Sequence, residues 1–176
     1  VDLVPQAGVP TDALQFVPAR GSVVGAAIEK NQKISGVLFT GSNDTANQIQ
    51  QSLANRPGGI VPFVAETGGI NAMIVDSTAL PEQLVHDVIF SAFDSAGQRC
   101  SALRLLYVQD DIADHVIDML AGAMAEIKVG DPRFLSTDVG PVIDADAQAM
   151  LTKHQTLMQE KATLIYQVEL PADTQH

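Results

Sequence analysis

The chain contains a single cysteine, Cys100, set in SAGQRCSALR. A structural cysteine usually hides in an apolar run, whereas this one has Gln98, Arg99 and Ser101 for neighbours. A cation beside a thiol favours the thiolate if its charge points at the sulfur, so Cys100 with Arg99 is a candidate nucleophile. An incidental loop thiol fits the pattern equally well. A second candidate is Glu66, which ends the apolar run IVPFVAET and precedes Gly68 and Gly69. Partly desolvated by Phe63 and Val64, it would suit the work of a general base. Pattern alone leaves an ordinary strand-end acid ahead.

Two glycine-bearing turns raise the question of phosphate binding. FTGS (39–42) ends one apolar run and opens a helical one. Gly41 would let a ligand approach the backbone, and Ser42 adds a hydroxyl beside free helical N–H groups. RGSVVG (20–25) follows another strand-like run, but it lacks a third glycine and the Lys-Ser/Thr of a P-loop. Each also reads as an ordinary strand-to-helix turn. The histidines His86, His115, His154 and His176 lie no closer than 22 residues apart (His154 to His176), and none forms an HxxH or HExxH array. No metal site is expected.

Elements alternate between strand-like and helix-like runs. Strands are expected over 13–19, 36–41, 60–67, 71–76, 103–109 and 163–169, and LRLLYVQ (103–109) is apolar enough to be buried on both faces. Helices are expected over 23–30, over 42–56 with Ala46, Ile49 and Leu53 on one face, and around Leu84, Val85, Val88, Ile89, Ala92 and Phe93. Two more are expected over 110–127 and about 144–161, separated by a Gly/Pro-rich loop (130–143). Such alternation specifies an α/β fold with a largely parallel sheet.

Composition narrows the classes. With 176 residues, 46% hydrophobic and 18% charged, the chain can bury a core without disulfides and is not of a disordered type. Its net charge of −11 disfavours nucleic acid and anionic membrane surfaces. No apolar run approaches the ~20 residues that span a bilayer, and no leader pattern opens the chain, so a cytoplasmic setting is the default expectation.

FTGS, ETGG and GQRCS, in that order between residues 39 and 101, resemble the aldehyde dehydrogenase superfamily. The resemblance runs from AGVP at 7–10 to the GP near 140. Superfamily members commonly carry Leu after the motif glutamate and Lys after its second glycine, where this chain has Thr67 and Ile70. The threonine version, together with SAFDSAGQRCSALR, resembles the L-glutamate γ-semialdehyde (Δ1-pyrroline-5-carboxylate) dehydrogenases, above all the dehydrogenase part of bifunctional proline utilization enzymes.

That resemblance implies roles residue by residue. Cys100 is the nucleophile and Glu66 the general base of deacylation. Gly41 and Ser42 meet the pyrophosphate of NAD, Gly21 and Gly25 form the glycine turn beneath the dinucleotide, and Thr67 lies at the nicotinamide end. Ser101 contacts the substrate carboxylate. The implied fold is an aldehyde-dehydrogenase-like, three-layer α/β/α fold truncated at both ends. In it, 1–65 is the latter part of a Rossmann-like NAD-binding domain and 66–176 the first part of the cysteine-bearing catalytic domain. The expected parent is a homo-oligomer acting on a small aldehyde, and FAD could sit in a separate proline dehydrogenase domain. NADP in place of NAD stays open. The fragment alone is expected to be inactive. Two other readings stay open: a dehydrogenase of another semialdehyde, such as succinic semialdehyde, and a non-catalytic assembly or regulatory domain.

Overall fold

A computed structural model of the chain describes residues 3–171. The chain divides into two compact units between Thr67 and Gly68.

The first unit is built around one βαβ crossover. After a single turn, α1 (Leu3–Gln6), and the helix α2 (Gly21–Lys30), strand β1 (Val37–Gly41) leads into helix α3 (Asn43–Asn55) and returns as β2 (Phe63–Thr67). The strands pair in parallel, with Val37 opposite Phe63 and Gly41 opposite Thr67. A parallel pair needs such a crossover helix, and α3 supplies it. Ser42 starts α3 as N-cap, its hydroxyl oxygen accepting from the Thr45 N–H at 3.2 Å. The expected stripe of α3 faces inward: Ala46 is buried, and Ile49 and Leu53 are half-buried. Arg56, just past the helix, donates to the carbonyls of Asn31 (3.0 Å) and Ile34 (2.9 Å), tying the end of α3 to the segment that leads into β1.

The second unit repeats the crossover with a better core. Strand β3 (Asn71–Val75) passes through helix α4 (Pro81–Phe93) and a 3₁₀ turn (Asp94–Gly97) to the parallel strand β4 (Leu103–Val108). Helix α5 (Asp110–Ala125) follows, then the 130–143 loop and helix α6 (Ala145–Lys161), capped by the Asp144 carboxylate on the Ala147 N–H. Pro81 occupies the first turn of α4, where its missing N–H costs nothing. Val75, Leu84, Val88, Leu103 and Val116 form the core, and Val116 of α5 is fully buried. Burying one valine side chain of this kind contributes about 1.5 kcal/mol or more.

The α/β class with parallel strands is as expected, and three local readings are corrected. Residues 13–19 and 163–169 form no strand. Neither run has a strand pairing with it among the described residues, and a strand needs a partner for its N–H and C=O groups. Leu14, Phe16, Leu164 and Ile165 are accordingly exposed. Strand β4 is not buried on both faces. Leu103, Leu106 and Val108 join the core with α4 and α5, while Leu105 and Tyr107 are exposed. In this unit the helices cover one face of the strand pair.

Candidate active site

Cys100 and Ser101 occupy the two central positions of a tight turn closed by the Ala102 N–H donating to the Arg99 carbonyl at 3.1 Å. Neither has a positive φ, the arrangement of a type I turn. Both side chains are exposed, whereas Ala102 and Leu103 immediately afterwards are buried. The thiol therefore stands at the tip of a loop whose far leg is fixed in the core.

The near leg is unusual. Ser95, Ala96 and Gly97 are consecutive left-handed residues, with φ of 57°, 53° and 68°. Left-handed geometry costs a residue with a Cβ about 1–2 kcal/mol, so Ser95 and Ala96 must be held there. The Asp94 carboxylate accepts from the Ser95 N–H at 2.9 Å, and the Arg104 guanidinium donates to the Gly97 carbonyl at 2.6 Å. At Gly97 a Cβ would lie 2.9 Å from the Ala92 carbonyl oxygen. The side chain of Gln98 donates to the Ser95 carbonyl (3.1 Å) and accepts from the Ile143 N–H (2.7 Å), linking this turn to the loop before α6.

The side chain of Arg99, whose direction the sequence left open, is engaged at the end of α4. Its guanidinium donates to the carbonyls of Phe90 (2.8 Å) and Ser91 (3.3 Å), lies 3.8 Å from the Asp94 carboxylate, and sits 5.4 Å from the Phe90 ring centre. It satisfies carbonyls that the last turn of α4 leaves without helical partners. That engagement explains why its charge is committed to the helix end.

In the first unit, register gathers four of the expected residues. Thr40 lies opposite Glu66 and Gly41 opposite Thr67, so Gly41, Ser42, Glu66 and Thr67 share the C-terminal edge of the strand pair. Ligands of parallel α/β sheets bind at such edges. Glu66 is exposed, and Val64 is 51% exposed. The expected desolvation of Glu66 by Phe63 and Val64 is thus not provided by the described residues of this unit. Gly41 also has a different local reason: a Cβ there would overlap the Phe39 ring. Gly21 and Gly25 begin α2 and lie one turn apart, with no atom within 4 Å of where a Cβ would stand. RGSVVG follows irregular chain and not a strand.

His86, His115 and His154 are exposed on α4, α5 and α6, and His176 lies outside the described residues. Among the described residues no group of three or more His, Cys, Asp or Glu side chains is placed to hold a metal ion. No helix among them is long and apolar enough to cross a membrane.

The sequence model described as the aldehyde dehydrogenase family matches residues 1–176. The chain belongs to the aldehyde dehydrogenase family. Bifunctional protein PutA of Klebsiella aerogenes is 51% identical over 170 residues, covering 95% of this chain and 13% of the relative. The 1-pyrroline-5-carboxylate dehydrogenase of Geobacillus kaustophilus is 30% identical over 168 residues, covering 94% of the chain and 33% of the relative. A crystal structure of a Bradyrhizobium japonicum proline utilization A (PutA) mutant superposes with a TM-score of 0.94 at 50% identity, covering 98% of this chain and 18% of that one. This aldehyde dehydrogenase family chain thus spans about an eighth of the PutA relative and a third of the smaller dehydrogenase.

The motif resemblance is therefore sound at the level of the family. Glu66 belongs to the first unit and Cys100 to the second. Sequence reasoning passed over the polar side chains that shape the cysteine loop, Asn71, Gln98 and Arg104. The signals were slight: an asparagine opening the otherwise apolar NAMIV, and an arginine inside LRLLYV.

Proposed function

We propose that the full-length protein carrying this segment is an NAD-dependent dehydrogenase that oxidises L-glutamate γ-semialdehyde to L-glutamate in proline breakdown. The observation that carries this reading is the turn Arg99–Ala102, which presents an exposed thiol and an exposed hydroxyl side by side at its tip. Its support comes from family membership and from relatives named PutA and 1-pyrroline-5-carboxylate dehydrogenase.

In this reading the Cys100 thiolate bonds to the aldehyde carbon, and the carbonyl electron pair moves onto oxygen. Backbone N–H groups are the donors such an oxyanion needs. NAD, which Gly21, Gly25, Gly41, Ser42 and Thr67 would hold, would supply the hydride acceptor for that carbon, so that Cys100 would carry a thioester. Glu66 takes a proton from water as it attacks the thioester, and Cys100 departs as thiolate. Ser101 holds the substrate carboxylate, which distinguishes glutamate semialdehyde from uncharged aldehydes.

The residues present fit NAD. The first turn of α3 begins directly after Gly41 and beside Thr67, and helix N-termini favour phosphate. Gly21 and Gly25, four residues apart, leave one face of the first turn of α2 without side chains, so a dinucleotide can lie against that face. Residues 1–65 are assigned to the NAD-binding domain and 66–176 to the catalytic domain of a cytoplasmic, homo-oligomeric enzyme. FAD, in the same reading, belongs to a separate proline dehydrogenase domain, and no residue of this chain is assigned to it.

The test is the NADH formed by the full-length protein from two aldehydes. The reading expects kcat/KM on L-glutamate γ-semialdehyde to exceed that on succinic semialdehyde at least tenfold, because both carry a carboxylate but the latter lacks the amino-bearing carbon, and one lost hydrogen bond of about 1.4 kcal/mol gives that factor. Equal values, or a preference for succinic semialdehyde, would reassign the substrate.

A further inference from the structure

We propose that Asn71 is a positioning residue for the nucleophile, acting as a two-point clamp on the backbone of the Cys100 turn. Its side-chain amide nitrogen donates to the Cys100 carbonyl at 2.7 Å and to the Ala102 carbonyl at 2.9 Å. A carboxamide has two N–H donors, so both are spent on this one turn. The contact spans 29 residues of sequence and joins the first residue of β3 to the loop that precedes β4.

The strand pairing is built around the contact. Asn71 lies opposite Leu103, but Ala72 lies opposite Leu105, so Arg104 is an extra residue in β4. Bulges re-aim side chains, and the Arg104 guanidinium is sent to the Gly97 carbonyl. Asn71 thus holds the far side of the turn while Arg104 holds its approach.

The clamp has a consequence for chemistry. In a trans peptide the C=O and the following N–H point in opposite directions, and no cis peptide bond occurs among the described residues. Anchoring the Cys100 carbonyl on Asn71 therefore directs the Ser101 N–H away from Asn71. Neither the Cys100 N–H nor the Ser101 N–H makes a hydrogen bond among the described residues. Without the clamp the central 100–101 peptide can flip while the Ala102–Arg99 hydrogen bond persists, which would put a carbonyl oxygen on the side where the Ser101 N–H can serve an oxyanion.

The catalytic part of this proposal rests on the dehydrogenase reading; the clamp itself does not. The test uses Asn71→Ala, which removes both donors, and Asn71→Asp, which keeps the shape and turns an acceptor toward the two carbonyls, each in the full-length protein. Hydrogen exchange is read for 98–103 against the core of α4 and α5, together with kcat and the dissociation constant of NAD. Exchange at the hydrogen-bonded Gln98 and Ala102 amides is expected to rise at least tenfold with the helix core unchanged. kcat is expected to fall ten- to a hundredfold, the scale of a small misplacement of a reacting group, with NAD binding within twofold of wild type. Asn71→Asp should be the worse of the two. If the turn loosens but kcat per folded molecule holds, the positioning role is wrong; if kcat falls while the turn stays protected, or exchange rises throughout the unit, the clamp is wrong. If the wild-type protein makes no NADH from the semialdehyde, the dehydrogenase reading fails, and the exchange data still decide whether Asn71 clamps the turn.

Discussion

In the first unit Gly41, Ser42, Glu66 and Thr67 are placed by strand register and a helix cap, and among its described residues Val37 and Ala46 are the buried apolar ones. In the second, Cys100 stands on a turn tied down by side chains from four places: Asn71 on β3, Arg104 on β4, and Gln98 and Arg99 flanking the turn itself. The first arrangement suits a long ligand that lies along bare backbone and reads N–H groups. The second suits a reacting atom, whose position must be fixed to a fraction of an ångström and against local backbone preference. Polar clamps, being directional, do this where apolar packing cannot.

The contrast can be broken at either end. The largest effect on structure is expected at Gly97, where alanine would meet the Ala92 carbonyl oxygen at 2.9 Å and inherit a φ of +68°. Gly97→Ala in the full-length protein should cost about 2 kcal/mol locally, seen as faster amide exchange over 95–103 and a lower kcat. NAD binding should be untouched. Ser42→Ala should do the reverse on a smaller scale. Losing the cap on the Thr45 N–H costs α3 about 1 kcal/mol, seen as exchange in its first turn and several-fold weaker NAD binding, with the Cys100 turn unaffected. A cross-effect of either substitution on the other unit's readout would erase the distinction.

Much of the second unit was legible in the sequence. Helices α4 and α5 follow from apolar spacing, and their ends from Pro81 and the acidic first turn Asp110–Asp111. Ser42, directly before the helical run that opens at Asn43, is of the residue type that caps helices. The strand readings at 13–19 and 163–169 failed because local alternation reports that a segment could be a strand, not that a partner lies beside it. Burial of β4 was overread for a similar reason: LRLLYV is apolar throughout, yet only one of its faces is covered. The direction of the Arg99 side chain is not legible, because proximity in sequence to Cys100 says nothing of direction, and the carbonyls it satisfies lie eight and nine residues back. Asn71 shows in the sequence only as a polar residue opening NAMIV, since a bond across 29 residues leaves no local pattern of its own.

The central claim is that Cys100 forms the bond to the aldehyde, and Cys100→Ala in the full-length protein tests it most directly. NADH production from L-glutamate γ-semialdehyde should fall by about a thousandfold or more, as removal of a covalent nucleophile does, with the dissociation constant of NAD unchanged. A variant that keeps a tenth of the wild-type rate would contradict the account.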